Sequence, residues 1–140
     1  TSRETVSIKG GYSLHFVEDL RRCVLLDMVR MLNGSCSIDK LALLMYMVDK
    51  LSGYFIFNWS IEDYMPISQD FLDTIENLRR GGYLDVNNGR VTITTLPFDV
   101  STCGNNWLYS RLISYVSEVV SRYRDKDVHE LLSEITDIVI

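Results

Sequence analysis

Three acidic residues, Asp70, Asp73 and Glu76, recur at intervals of three in a stretch with helical spacing. Residues three apart lie on one face of a helix, so their carboxylates can approach a common point. Carboxylate oxygens are the ligands that divalent cations such as Ca²⁺ prefer. No nearby histidine or further carboxylate motif completes such a site. We therefore interpret the row as a solvated helix face and expect no metal.

The histidines do not form a pair that could catalyse a reaction. The only two, His15 and His129, are far apart in the sequence. The sequence also lacks H-E-x-x-H, P-loop, G-x-G-x-x-G and G-x-S-x-G patterns, which place zinc ligands, phosphate-binding backbone or a nucleophile. We expect that the chain is not an enzyme and uses no cofactor.

The cysteines are Cys23, Cys36 and Cys103. An odd, widely spaced set argues against a disulfide framework, and no C-x-x-C pair indicates zinc. Cys23 falls on an apolar helical stripe, so we expect it to be a small core residue.

Composition indicates a globular protein of one domain. The chain has 140 residues, 46% of them hydrophobic, and a net charge of −5. A nucleic-acid-binding protein is expected to carry a basic surface, so any such surface here has to be local. No apolar run approaches the roughly 20 residues that span a bilayer, and the first residues lack a signal-peptide core. We expect a cytoplasmic protein that does not enter a membrane.

The stretch Pro66–Thr95 combines the signals of a helix and a β-hairpin. Ser68 can cap the start of the helix, and Gly81 and Gly82 can end it. Asn87-Asn88-Gly89 supplies residues that tolerate positive φ, as tight hairpin turns require. The strands beside this turn are predicted over Tyr83–Val86 and Arg90–Thr95. A helix followed by a hairpin, or wing, is the core of a winged helix.

Four further helices are predicted from apolar spacing: Leu14–Leu32, Ile38–Leu51, one starting near Trp107 with a cap at Asn105 or Asn106, and Asp127–Ile138. The aromatic segment Tyr54–Trp59 favours a strand that pairs with the wing. Ser60–Met65 is either a single helical turn or a loop.

Two groups of side chains suggest either a binding surface or core packing. Methionines 28, 31, 45 and 47 can form an adaptable groove, but core filling is the simpler interpretation. Trp59 and Tyr64 can stack on a ligand, but we expect them to pack over the edge of the sheet.

We expect an α+β fold, a winged helix with additional N- and C-terminal helices. Residues 1–13 form an arm and residues 14–140 a single domain, with the helix and wing at 66–95 and the C-terminal helices at 105–140. The wide apolar stripe of the first helix and the apolar C-terminus suggest that these helices form a homodimer interface.

The sequence from Lys40 onward resembles small prokaryotic winged-helix proteins. The resemblance lies in Lys40, Leu41, Leu44, Tyr54, Phe57, Trp59, Pro66, Ser68, Leu72, Leu78 and Gly82-Tyr83-Leu84. Relatives often carry an aromatic–Gly–Pro–aromatic–Ser element, which here is Tyr64-Met65-Pro66-Ile67-Ser68, with the glycine and the second aromatic replaced. The resemblance implies a fold used by transcription regulators, plasmid-partition proteins and antitoxin-like proteins, some of which bind proteins and not DNA.

In a DNA-reading winged helix, the helix before the wing enters the major groove. The outward positions that can read bases are predicted to be Gln69, Thr74, Asn77 and Arg80, and Arg90 can contact a phosphate or the minor groove unless it pairs with Asp85. The three acidic residues in this helix would repel phosphates.

The leading hypothesis is a dimeric transcriptional regulator that binds double-stranded DNA. The rival is a protein–protein interaction module of the same fold.

Overall fold

The computed structural model describes residues 14–98, 103 and 107–139, which form an α+β fold. The helices are α1 (Leu14–Met31), α2 (Ile38–Ser52), α3 (Gln69–Arg80), α4 (Trp107–Tyr123) and α5 (Val128–Val139). The strands are β1 (Ser35–Ser37), β2 (Ser60–Glu62), β3 (Met65–Ile67), β4 (Leu84–Asn87) and β5 (Arg90–Ile93). The arm predicted for residues 1–13 and the cap predicted at Asn105 or Asn106 lie outside the described residues.

The predicted hairpin after α3 is confirmed. Strands β4 and β5 pair antiparallel, with Asn87 opposite Arg90. The two residues between them, Asn88 and Gly89, have φ of 51° and 74°. Two consecutive positive φ values match the right-handed twist of the flanking strands, which explains why asparagine and glycine occupy this turn.

The third strand of this sheet is β1, and the predicted pairing of Tyr54–Trp59 with the wing is wrong. The sheet order is β1–β5–β4, with Ser35 opposite Thr92. Residues 54–59 are irregular because the carboxylate of Asp49 accepts hydrogen bonds from the backbone N–H groups of Ile56 and Phe57, at 3.0 and 3.3 Å. A buried side chain thus satisfies donors that a neighbouring strand would otherwise bind.

Residues 60–67 form a second hairpin, where neither the predicted helical turn nor the predicted loop is correct. Strands β2 and β3 pair antiparallel, with Ile61 opposite Pro66. Asp63 and Tyr64 make the turn with φ of 52° and 67°. Tyr64 is 71% exposed, so its expected packing over the sheet is wrong.

The core lies between α1, α2 and α4. Residues 41–49 of α2 are all buried, and α2 is covered by α4 on one side and α5 on another. Helix α1 contacts α3 and α4, which explains its wide apolar stripe. Met28, Met45 and Met47 are at most 1% exposed, which confirms core filling for these three.

A disulfide joins Cys23 of α1 to Cys103, with an S–S distance of 2.05 Å. Cys23 is buried as expected, but the expectation that the cysteines form no disulfide is wrong. The two residues are 80 positions apart, so no local pattern in the sequence indicates their pairing. Cys36 is a free, buried thiol.

Helix α5 begins with a reciprocal cap. Asp127 Oδ1 accepts a hydrogen bond from the backbone N–H of Glu130, and Glu130 Oε1 accepts one from the N–H of Asp127. In the described part of the chain, no helix has the length and apolar character needed to cross a membrane.

Candidate nucleic-acid interface

Helix α3 starts and stops where its local sequence predicts. Ser68 is extended, and its hydroxyl accepts a hydrogen bond of 3.2 Å from the backbone N–H of Phe71. At the other end Gly82 takes a φ of +86°, and the N–H of Tyr83 reaches back to the carbonyl of Leu78 over 2.9 Å. Only Gly82 adopts the left-handed conformation, whereas Gly81 is still helical with a φ of −75°.

The buried face of α3 rests on an aromatic cluster. The ring of Phe71 lies 5.8 Å from that of Phe57 and 5.5 Å from that of Trp59. Trp59 is half-buried in this cluster, so it packs as expected, but against α3 and not over the edge of the sheet. The irregular segment before β2 therefore fixes the position of α3.

An ion pair joins α1 to α3. Arg21 Nη2 lies 3.4 Å from Asp70 Oδ2, while Arg21 Nε donates to the carbonyl of Ile56 over 2.6 Å. The same Asp70 oxygen accepts a hydrogen bond of 2.8 Å from the side-chain amide of Asn58. The charge of Arg21 therefore offsets that of Asp70, which weakens its repulsion of a phosphate.

Thr74 does not point outward as predicted. It is 7% exposed, and its hydroxyl donates to the backbone carbonyl of Asp70 over 2.8 Å. Phe71, Thr74, Ile75 and Leu78 share the buried face of α3. Their spacing of three, one and three residues is the helical repeat itself, so the sequence contained the signal that places Thr74 inside.

The other three positions chosen on α3 are exposed. Gln69 donates to Asp73 Oδ1 over 2.8 Å, and Asn77 Oδ1 accepts from Arg22 at 3.4 Å. Arg80 Nε lies 3.7 Å from Glu76 Oε2, and its side chain is 67% exposed. These contacts are weak and solvent-accessible, so a ligand can replace them at low cost.

Glu76 is held in its charged form by its neighbours on α3. Arg79 donates two hydrogen bonds to it, at 2.8 and 2.6 Å. These hydrogen bonds lower the pKa of Glu76, and the charges of Arg79 and Arg80 lower it further. The last turns of α3 therefore carry two guanidinium groups around one carboxylate, which leaves an excess positive charge there.

The structure brings together some of the predicted residues and separates others. Thr74, Asn77 and Arg80 line one cleft of about 390 Å³ between α1 and α3. Arg90 lies on β5 and lines a different cavity. It donates to Ser35 Oγ over 3.2 Å and does not pair with Asp85, which lies opposite Thr92.

Sequence reasoning missed two cations, Lys40 on α2 and Arg124 after α4, that line the same cavity as Arg90. Their distance along the chain left no local signal for this grouping.

Within the described residues, no three His, Cys, Asp or Glu side chains are grouped so that they could hold a metal ion.

Comparison with known proteins gives no match: no family model, curated protein or solved structure is significantly similar to this chain. The resemblance to winged-helix proteins therefore stays a prediction.

Proposed function

We propose that this chain is a winged-helix protein that binds double-stranded DNA through α3 and the β4–β5 hairpin, as a transcriptional regulator does. The order of elements carries the proposal. Helix α3 leads directly into the hairpin, and the returning strand β5 pairs with β1, which lies between α1 and α2. A helix held against α1, with a hairpin beside it, has the shape needed to enter a groove while the hairpin contacts the backbone.

The exposed side chains of α3 have chemistry suited to base edges. Gln69 and Asn77 carry amides that can form paired hydrogen bonds with adenine, and Arg80 can form them with guanine. Asn77 and Arg80 lie in the half of α3 where two arginines surround Glu76. We expect this half, nearest the hairpin, to enter the groove.

The first half of α3 is less suited to DNA. Asp73 is exposed there, and its partner Gln69 is neutral. Because this carboxylate would repel phosphates, we expect the first half of α3 to stay at the rim of the DNA groove. The position of Arg90 at the start of β5 supports a backbone contact from the hairpin.

The direct test is the salt dependence of binding to a labelled duplex. Phosphate contacts release counterions, so affinity falls steeply as salt is raised from about 50 to about 200 mM. We expect measurable fluorescence anisotropy at the lower concentration and its loss at the higher one. Absence of binding at low salt would refute the proposal.

A second candidate, a protein-interaction module of the same fold, is favoured by exposed apolar side chains. Ile61 and Ile67 on the β2–β3 hairpin, Tyr64 in its turn and Leu72 on α3 are between 42 and 71% exposed. Large apolar side chains left exposed within one short segment mark protein-binding surfaces. Binding to a protein that Tyr64→Ser and Leu72→Ser abolish, with no binding to DNA, would favour this candidate.

The homodimer stays a proposal. The apolar stripe of α4 is buried against α1 and α2 within the single chain, so it does not require a second subunit. Sedimentation at micromolar concentration distinguishes the two states.

A further inference from the structure

A cavity of about 380 Å³ lies beside the turn end of the β4–β5 hairpin, next to β1. Ser35 and Ser37 of β1, Arg90 of β5, Lys40 of α2 and Arg124 after α4 line it. Arg90 and Arg124 are exposed, so the cavity is open to solvent. Residues from four parts of the chain meet here, and three of them are cations.

Each of the three cations is held by a neutral oxygen. Arg90 donates to Ser35 Oγ over 3.2 Å, and Arg124 Nη2 donates to Asn33 Oδ1 over 3.1 Å. Lys40 Nζ donates to the backbone carbonyl of Arg124. Among the described carboxylates, none lies within 4.0 Å of these three groups. The positive charges are therefore positioned without a direct carboxylate partner among the described residues.

This grouping contrasts with the other basic side chains of the described chain. Seven of them form ion pairs with carboxylates: Arg21, Arg22, Arg30, Arg79, Arg80, Arg122 and Lys126. Lys50 and Arg111 lie over the aromatic rings of Phe55 and Trp107. The three remaining basic side chains of the described chain, Lys40, Arg90 and Arg124, all line this cavity.

Two carboxylates, Asp125 and Asp127, also line the cavity, so three cations leave a formal charge of +1. Asp127 is used as the cap of α5, where the positive end of that helix offsets its charge. Burial raises the pKa of the Cys36 thiol to about 11 despite the nearby charges of Arg90 and Lys40, so this thiol is neutral and adds no negative charge.

The start of α2 adds to the positive potential. Ser37 caps this 15-residue helix by accepting a hydrogen bond of 3.1 Å from the N–H of Lys40. The first turn of α2 thus lies at the cavity wall, and helix N-termini favour phosphate groups.

We propose that this cavity binds a phosphate group, held by Arg90, Arg124 and Lys40. Two guanidinium groups and an ammonium supply charge-assisted hydrogen bonds to the phosphate oxygens. The phosphate belongs either to a DNA backbone or to a free phosphate-bearing molecule. Only the first source rests on the proposed function, because the site itself needs no DNA.

The first experiment is a titration of the isotope-labelled chain with inorganic phosphate and with pyrophosphate at constant ionic strength, followed by amide NMR. We expect saturable shifts concentrated at residues 35–40, 90 and 124. Shifts that do not saturate, or that lie elsewhere, would overturn the site.

Matched variants test the assigned side chains. Arg90→Gln and Arg124→Gln should each raise the dissociation constant for pyrophosphate about tenfold, since each removes a charge-assisted contact. Arg111→Gln removes an arginine outside the cavity and should leave the constant unchanged. Equal effects of all three variants would indicate only net charge and would overturn the assignment. Thermal melting shows whether each variant is folded.

Binding of the same variants to duplex DNA identifies the source of the phosphate. Weaker DNA binding by Arg90→Gln and Arg124→Gln indicates a backbone phosphate, and unchanged or absent DNA binding with weaker pyrophosphate binding indicates a free ligand. If the wild type binds pyrophosphate at the cavity but no DNA, the proposed function fails and the site stands. If it binds DNA through Arg80 but no phosphate at the cavity, the site fails and the proposed function stands.

Discussion

Asp49 Oδ2 accepts a hydrogen bond of 2.7 Å from the indole Nε1 of Trp59. This contact joins the last turn of α2 to the irregular segment that precedes the β2–β3 hairpin. Because Trp59 packs on Phe71, it also sets where α3 lies. A fully buried carboxylate thus determines the position of the helix that we propose enters DNA.

Replacing Asp49 with alanine should destabilise the fold by about 3 kcal/mol or more. The change leaves the backbone N–H groups of Ile56 and Phe57 and the indole N–H of Trp59 without their acceptor, and each unsatisfied buried donor costs about 1 kcal/mol or more. Urea denaturation measures the loss. Asp39→Ala, an exposed position on the same helix, should change stability by less than about 0.5 kcal/mol. Similar values for the two variants would refute this role of Asp49.

Asp49 should also make stability depend on pH. Burial raises its pKa from 3.8 to about 7, against the opposing effects of the hydrogen bonds from Trp59, Ile56 and Phe57 and the charge of Arg21. The folded state therefore binds a proton more tightly than the unfolded state. The stability that Asp49 gains from its raised pKa is therefore present in full below pH 3.8. It is lost as the pH rises towards about 7.

The measurement is the free energy of unfolding of the wild type minus that of Asp49→Asn, which cannot titrate at this position. We expect this difference to fall by about 2 kcal/mol between about pH 5 and pH 8, since each pH unit in the window is worth up to about 1.4 kcal/mol. A difference that is constant, or that grows with pH, would contradict the raised pKa.

Reduction of the Cys23–Cys103 disulfide should lower stability by up to about 4 kcal/mol, because the bond closes a loop of 80 residues in the unfolded chain. The midpoint of urea denaturation with and without reductant measures the effect. Cys103→Ser should be less stable and insensitive to reductant. A wild type whose thiols are shown to be free but whose midpoint is unchanged would contradict the prediction.

The disulfide also bears on where the protein works. Disulfides persist mainly in oxidising compartments and in intracellular proteins of hyperthermophiles. The cytoplasmic location inferred from the sequence stays a prediction, and the disulfide weighs against it for a mesophilic source.

Local signals predicted α3 and the hairpin well. Ser68, Gly82 and Asn88-Gly89 act through their own backbone neighbours, so their residue types alone indicate a cap, a helix end and a tight turn. The boundaries shifted by one or two residues, as at β4, which begins at Leu84.

Long-range contacts explain what was missed. Strand β1 has the sequence Ser-Cys-Ser, which lacks strand-forming residues, and it is extended because it pairs with β5. Tyr54–Trp59 has strand-forming residues but is irregular because Asp49 binds its backbone. The cavity around Lys40, Arg90 and Arg124 depends on the same kind of distant contact and could not be predicted from spacing.

The most direct test of DNA binding compares two matched arginines. Arg80 on α3 and Arg122 on α4 are similarly exposed, and each lies four residues after a glutamate partner, at 3.7 and 3.6 Å. Replacing either with alanine changes net charge equally, so a difference between them reports position and not charge. Binding is measured by anisotropy with a duplex of about two helical turns at low salt.

We expect Arg80→Ala to weaken binding about tenfold, as loss of a base or phosphate contact does, and Arg122→Ala to leave it unchanged. Equal affinities of the two variants, or no binding by the wild type, would contradict the proposal that α3 enters DNA.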